Sequence, residues 1–266
     1  MIHPTAIIST TANVDPSCTI GPYSVVDDHV VLGANCRLAP HVHITGHTTV
    51  GEGNVFHTGC VIGDAPQDFK YRDEPTRLRI GDHNIFREQV TVHRSNKLSE
   101  DTVIGSHNIL MANSHIAHNC SLGDRIIIVN GALIAGHVTI ADGALISAHC
   151  LVHQFVRIGR FALMQGGSLI TKDLAPATVA CRFNEICGLN IIGLRRAGVS
   201  SVERLELKRL YHHLFRSDQN LTDAVAKAEP LFGSPLALEM LQFIKTSKRG
   251  VVMRSGAPDE VESNEE

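Results

Sequence analysis

The sequence predicts a mainly β protein: a parallel β-solenoid with three flat faces, followed by a small C-terminal α-helical region. Three observations predict it. An aliphatic residue or Met returns every six residues from Ile104 to Ile170 without a miss, and the same series begins at Ile2. Small residues such as Ala132, Ala144 and Cys150 sit two positions before the aliphatic ones. Aromatics make up 5% of the chain and Trp is absent, which suits a narrow core rather than one built on large rings. A period of six is neither helical nor that of an isolated strand. It fits short strands joined by tight turns, with one large and one small residue inward per hexad. Three hexads close one 18-residue coil, and coils stack about 4.7–4.9 Å apart.

Taken in order, the series runs Ile2, Ile8, Val14, Ile20 and onward to Phe56 and Ile62. It lapses at Asp68 and Glu74, resumes at Ile80, Phe86 and Val92, and continues through Leu98 and Ile104. The polar stretches 64–79 and 94–102 keep the phase on either side, so they read as loops extruded from corners. The repeat ends after Ile170, and Asp173–Pro176 marks its exit, which gives a solenoid over 1–176. Residues 177–190 read as an irregular link, the start of a linker and helical region over 177–254. Ser200 with Glu203 makes a capping box for a first helix. A second helix is expected over Asn220–Leu231, and a third opens at Ser234-Pro235 and stops at Gly250. The tail 255–266 holds five acids and no base and is expected to be disordered.

Composition excludes several classes. Twenty-four basic against 27 acidic residues give a net charge of −3, which argues neither for nucleic-acid binding nor for a membrane surface. There is no signal peptide and no long apolar run, so the expectation is a cytoplasmic protein without membrane insertion. Seven cysteines form no CxxC pair, and Cys18, Cys36, Cys60, Cys120 and Cys150 share one hexad phase. They read as small buried thiols.

Against an 18-residue coil, His137 lies one coil and one residue after His118, His153 lies two coils less one residue after it, and Gln154 lies two whole coils after it. These four share one vertical edge. Asn119 is in register with His137, and His115 sits around the nearest corner. Such a column suits either general-base catalysis by a neutral imidazole or a zinc site of several imidazoles. Carboxylates are nearly absent from it, so a carboxylate pair is not expected. No Gly-rich phosphate loop stands between a strand and a helix.

The segments QDFKY at 67–71, EPTRLRIGD at 74–82, LMANSHIAHNC at 110–120, AGHV at 135–138, VHQF at 152–155 and GLNIIGLRRAG at 188–198 span nearly the whole chain. Together they resemble the UDP-N-acetylglucosamine O-acyltransferase family of hexapeptide-repeat enzymes. The resemblance implies a left-handed helix, a homotrimer with grooves between neighbours, and no cofactor or metal. It implies transfer of a 3-hydroxyacyl chain from acyl carrier protein to UDP-N-acetylglucosamine, with His118 as general base. Gly136 would give its backbone N–H to the oxyanion. Gln67, Asp68 and Lys70 would contact the sugar from the loop, with His137, His153 and Gln154 in the groove. His115, Asn190 and Arg196 would meet the nucleotide and phosphates, and Gly166 would floor an acyl groove open to long chains. Arg125, Arg157, Arg160 and Lys172 lie at outward phases and are expected to meet the acidic carrier. Asn119 stands where many members carry Asp, so a backbone carbonyl is expected to orient His118. Ile192, Ala197 and Cys181–Phe183 also depart from the family pattern. The alternatives are a zinc-dependent hydratase of the γ-carbonic-anhydrase kind and an acyltransferase acting on a 3-amino UDP-sugar.

Overall fold

The computed structural model describes residues 1–217 and 219–254. The tail expected to be disordered lies outside them. Most strands are two residues long, one outward and one buried, and they stack into three parallel sheets. The first face has nine strands, from Ile7–Ile8 to Leu169–Ile170. The second has eight, from Asn13–Val14 to Arg157–Ile158. The third has ten, from Thr19–Ile20 to Glu185–Leu189. Partners differ by 18 positions, as in Ile7↔Val25 and Leu133↔Leu151. The first loop raises the step to 30 at His47↔Arg77, an insertion of 12 residues. The second raises it to 24 at Leu78↔Thr102, an insertion of six. Whole hexads are inserted, which is why the phase survives both loops.

This corrects one residue of the repeat. Leu98 falls on the six-residue phase only because the insertion is six residues long; it sits in the second loop and is 57% exposed. From Ile20 on, the true inward series is buried, and its two aromatic members, Phe56 and Phe86, stack at 4.7 Å. Cys36, Cys120 and Cys150 each point their thiol at a turn carbonyl 15 residues on. Burial pushes the Cys120 thiol up to about 12, so it stays protonated. Three coils use the same inner position for Asn54, Asn84 and Asn108 instead. These buried amides hydrogen-bond one another and the turns around them, so their own polar atoms are paired.

The stretch read as an irregular link is a hairpin. Thr178–Cys181 adds a parallel strand to Leu163–Met164 and then pairs antiparallel with Glu185–Leu189, covering the end of the third face. Asn190 caps a short helix α1 (Ile191–Arg196) that was not expected. Helices α2 (Ser201–Phe215), α3 (Leu221–Ala228) and α4 (Pro235–Lys245) follow, packed around Leu207, Leu214, Val225 and Leu241. Ser200 caps α2 by accepting from the Glu203 N–H, but the reciprocal bond of the capping box is missing, because Glu203 Oε1 accepts from Leu236 N instead. Ser234 precedes α4 without a side-chain cap bond.

Asp173 locks the helices to the solenoid. It is 1% exposed and accepts from Arg157 N, Arg157 Nε and Ser247 Oγ. Arg157 also donates to Phe243 O and lies over its ring at 4.4 Å. The expectation that Arg157 faces a carrier is therefore corrected: its guanidinium is a structural tie. Arg160 is likewise 3.7 Å from Glu239 and over the Phe161 ring.

Candidate active site

Most corner turns of the solenoid from Tyr23 onward carry one residue with positive φ. Asn119 (φ 58°), His137 (φ 59°) and Phe155 (φ 64°) fill that place on three successive coils. A side chain in this conformation is strained when isolated, and here the ladder holds it: His137 N donates to His118 O at 3.0 Å, and Phe155 N to Gly136 O at 3.1 Å. His118 meets His137 edge-on, with ring centroids 5.2 Å apart, and His137 stacks on Phe155 at 4.6 Å. His118 itself is 6% exposed. A Cβ on Gly136 would lie 2.7 Å from His118 Cε1, so only glycine leaves the imidazole where it is.

The proton on His118 is set by Asn119, not by a backbone carbonyl as expected. His118 Nδ1 donates to Asn119 Oδ1 at 2.8 Å. The amide cannot be turned around, because the Asn96 N–H also donates to Oδ1 at 3.0 Å and a backbone N–H only donates. With Nδ1 carrying the proton, Nε2 keeps a free lone pair, and it has no hydrogen-bond partner among the described residues.

The two loops meet this corner. Asn96 Nδ2 donates to Asp68 Oδ2 at 2.6 Å, and Asp68 Oδ1 accepts from Lys70 N at 2.9 Å. Those bonds hold the Asp68 carboxyl below its ordinary range, the Lys70 N–H contributing most. A carboxylate absent from the column arrives with the second loop. Glu100 Oε2 accepts from Asn119 Nδ2 at 3.0 Å and is 3.7 Å from His137 Nδ1.

Below the corner runs a groove of about 390 Å³. Gln67, His115, His118, Gly136, His153 and Gln154 line it, and its floor is Leu133, Leu151 and Leu169, stacked 18 residues apart on the first face. His93 lines it too, edge-on to His115 at 4.7 Å. Burial, with His93 and His118 nearby, pushes His115 down to about 4. Burial likewise lowers His93 and His137, so these three imidazoles are neutral near pH 7.

Not every expected residue is gathered here. Gly166 is exposed, with only Ala148 O at 3.5 Å from a would-be Cβ, and does not line the groove. Asn190 caps α1 and donates to Phe161 O, and Arg196 ends that helix in solvent; neither lines the groove of its own chain, nor does Lys70. Among residues the sequence reading missed, Arg249 reaches in from the C-terminal segment, its Nη2 lying 3.3 Å from His153 Nδ1. The leucine row was open to detection, because Leu133, Leu151 and Leu169 recur at the 18-residue step. Nothing in the repeat marked Glu100, Ser95, Asn96 or His93.

Fold and site together define a hexapeptide-repeat transferase. The family model described as bacterial transferase hexapeptide (six repeats) matches residues 11–46 and 101–136. A second, UDP-N-acetylglucosamine O-acyltransferase domain 2, matches 173–252. An acyl-[acyl-carrier-protein]–UDP-N-acetylglucosamine O-acyltransferase of Syntrophobacter fumaroxidans is 41% identical over 255 residues, covering 94% of this chain and 99% of that one. Its counterpart in Anaeromyxobacter dehalogenans is 44% identical over 253 residues, covering 94% and 98%. The crystal structure of Francisella novicida UDP-N-acetylglucosamine acyltransferase superposes with a TM-score of 0.92 at 32% identity, covering all of both chains. That of the Bacteroides fragilis enzyme gives 0.91 at 36%, covering 95% of this chain and all of that one. The chain belongs to the UDP-N-acetylglucosamine O-acyltransferase family. It is an acyltransferase, and its fold is a left-handed parallel β-helix with a small C-terminal helical part.

Proposed function

We propose that the enzyme transfers a 3-hydroxyacyl chain from acyl carrier protein to the 3-hydroxyl of UDP-N-acetylglucosamine, the first step of lipid A assembly, with His118 as general base. The observation that carries this is the His118–Asn119 bond, which leaves Nε2 bare over a groove with an apolar floor. Nε2 takes the proton of the sugar hydroxyl as its oxygen attacks the thioester carbonyl. The new C–O bond forms a tetrahedral oxyanion, and the Gly136 N–H, which the backbone ladder leaves over, donates to it. The C–S bond then breaks, and the carrier's thiolate recovers the proton from His118. No cofactor enters any step.

The leucine row receives the acyl chain, which passes on toward Gly166. Gln67, Asp68, Lys70, His137, His153 and Gln154 hold the sugar and the acyl 3-hydroxyl, and His115, Asn190 and Arg196 hold the nucleotide and its phosphates. Lys70, Asn190 and Arg196 line no groove of their own chain and reach one only if a neighbouring chain lends them, which supports a homotrimer. So does the outward row Val55, Ile85, Ile109, Ile127, Leu145 and Leu163 on the third face, aliphatic and only half-buried in one chain. We place the reaction in the cytoplasm, where the acyl carrier protein is made; no described helix is long and apolar enough to cross a membrane.

The test is purified protein with UDP-N-acetylglucosamine, or its 3-amino analogue, and a panel of 3-hydroxyacyl carrier proteins. Release of carrier thiol and an ester on the 3-position are expected with the hydroxyl acceptor. Thiol release with the amino analogue alone would overturn the choice of acceptor, and none with either would overturn the reading.

A further inference from the structure

The corner lacks the carboxylate that usually backs a catalytic imidazole, and the second loop brings one. We propose that Glu100 is the positioning residue of His118, acting through the Asn119 amide. The proposal rests on the reading of His118 as the base.

Asn119 is 9% exposed and every hydrogen-bonding site on its side chain is used. Oδ1 takes the protons of His118 Nδ1 and Asn96 N. Nδ2 gives its two protons to Ser95 Oγ at 2.8 Å and Glu100 Oε2 at 3.0 Å. Ser95 adds no charge, since it donates to Lys97 O and accepts from Lys97 N. Glu100 is thus the charged end of the chain His118–Asn119–Glu100. A carboxylate pulling on one end of an amide makes its oxygen a stronger acceptor at the other. Asn119 holds the Nδ1 proton in place, and Glu100 supplies the negative charge that favours the imidazolium when Nε2 takes up the sugar proton.

Other charged groups around the corner do not reach Nδ1. Asp68 faces His118 from the first loop, with its carboxylate bonded to Lys70 N and Asn96. His93 and His115 on the first face and His137 on the next coil also face it. Lys97 sits behind Glu100, 3.3 Å from Oε1, on the oxygen that does not touch Asn119.

The experiment compares Glu100→Gln, Asn119→Asp and the double variant in the acyl-transfer assay across pH, with melting temperatures. Glu100→Gln should lower kcat about tenfold at unchanged KM for the nucleotide sugar, at the parent's melting temperature. The acid limb of its kcat/KM profile should move to lower pH by about half a unit, because the imidazolium has lost its negative neighbour. The double variant, with a carboxylate directly on Nδ1, should regain most of the rate, and Asn119→Asp alone should be slower than the double because it sets two carboxylates against each other. A parental rate and acid limb in Glu100→Gln, a loss that tracks a fall in melting temperature, or a double variant no better than Glu100→Gln would overturn the proposal. His118→Ala separates the two claims. If it is inactive while Glu100→Gln is unaffected, only the role of Glu100 falls; if it is active, the base reading falls.

Discussion

The corner that carries His118, His137 and Phe155 and the two loops that cover it are built by different rules. On the corner, position follows from register. Each residue is set by an 18-residue step, and its backbone is tied to a neighbouring coil by ladder bonds of about 3 Å. In the loops, position follows from side-chain hydrogen bonds: Asn96 to Asp68 and to Asn119, Arg94 to Tyr71 OH and Gly63 O, Glu100 to Asn119. The scaffold supplies the reacting nitrogen, and the loops supply the charges that surround it.

Substitutions that separate scaffold from loop sharpen this contrast. Leu110→Ala deletes a fully buried inward leucine and should cost about 2–5 kcal/mol by chemical denaturation, with a cavity left behind. Gly136→Ala forces a methyl to within 2.7 Å of His118 Cε1. It should lower kcat about a hundredfold while the melting temperature holds, because a small displacement of a catalytic group is costly. Third is the pH dependence of stability. His115 is pushed down to about 4 in the folded chain, from 6.5 when unfolded. The unfolded chain therefore binds the extra proton first, and stability is fully present above pH 6.5 and lost as pH falls toward 4. The loss should be about 2 kcal/mol between pH 7 and pH 5, and His115→Gln should flatten that part of the curve. Smallest is Leu98→Ala. It sits on the same hexad phase as Leu110 but in a loop and exposed, so it should change stability by no more than about 0.5 kcal/mol. A cost comparable to that of Leu110→Ala would mean the second loop belongs to the core.

What the sequence made legible follows the same division. The coil length, the inward series and the shared edge of His118, His137, His153 and Gln154 are periodic, so counting found them. Leu98 shows where counting misleads, since a six-residue insertion imitates a hexad. The hairpin 178–189 was illegible because its strands pair antiparallel at the end of the stack, where period six no longer applies. Glu100 and the Asn119 side chain were illegible for a different reason: their arrangement depends on loop closure between residues 19 apart, which no spacing rule encodes.

The most direct test of the whole account is the acyl-transfer rate of His118→Ala. The side chain is at a corner and outside the inward series, so the variant should keep its melting temperature. Its kcat should fall by at least about a hundredfold, the loss expected when a positioned base is removed. A variant that folds and transfers acyl groups near the parental rate would contradict the central claim that His118 Nε2 takes the sugar's proton.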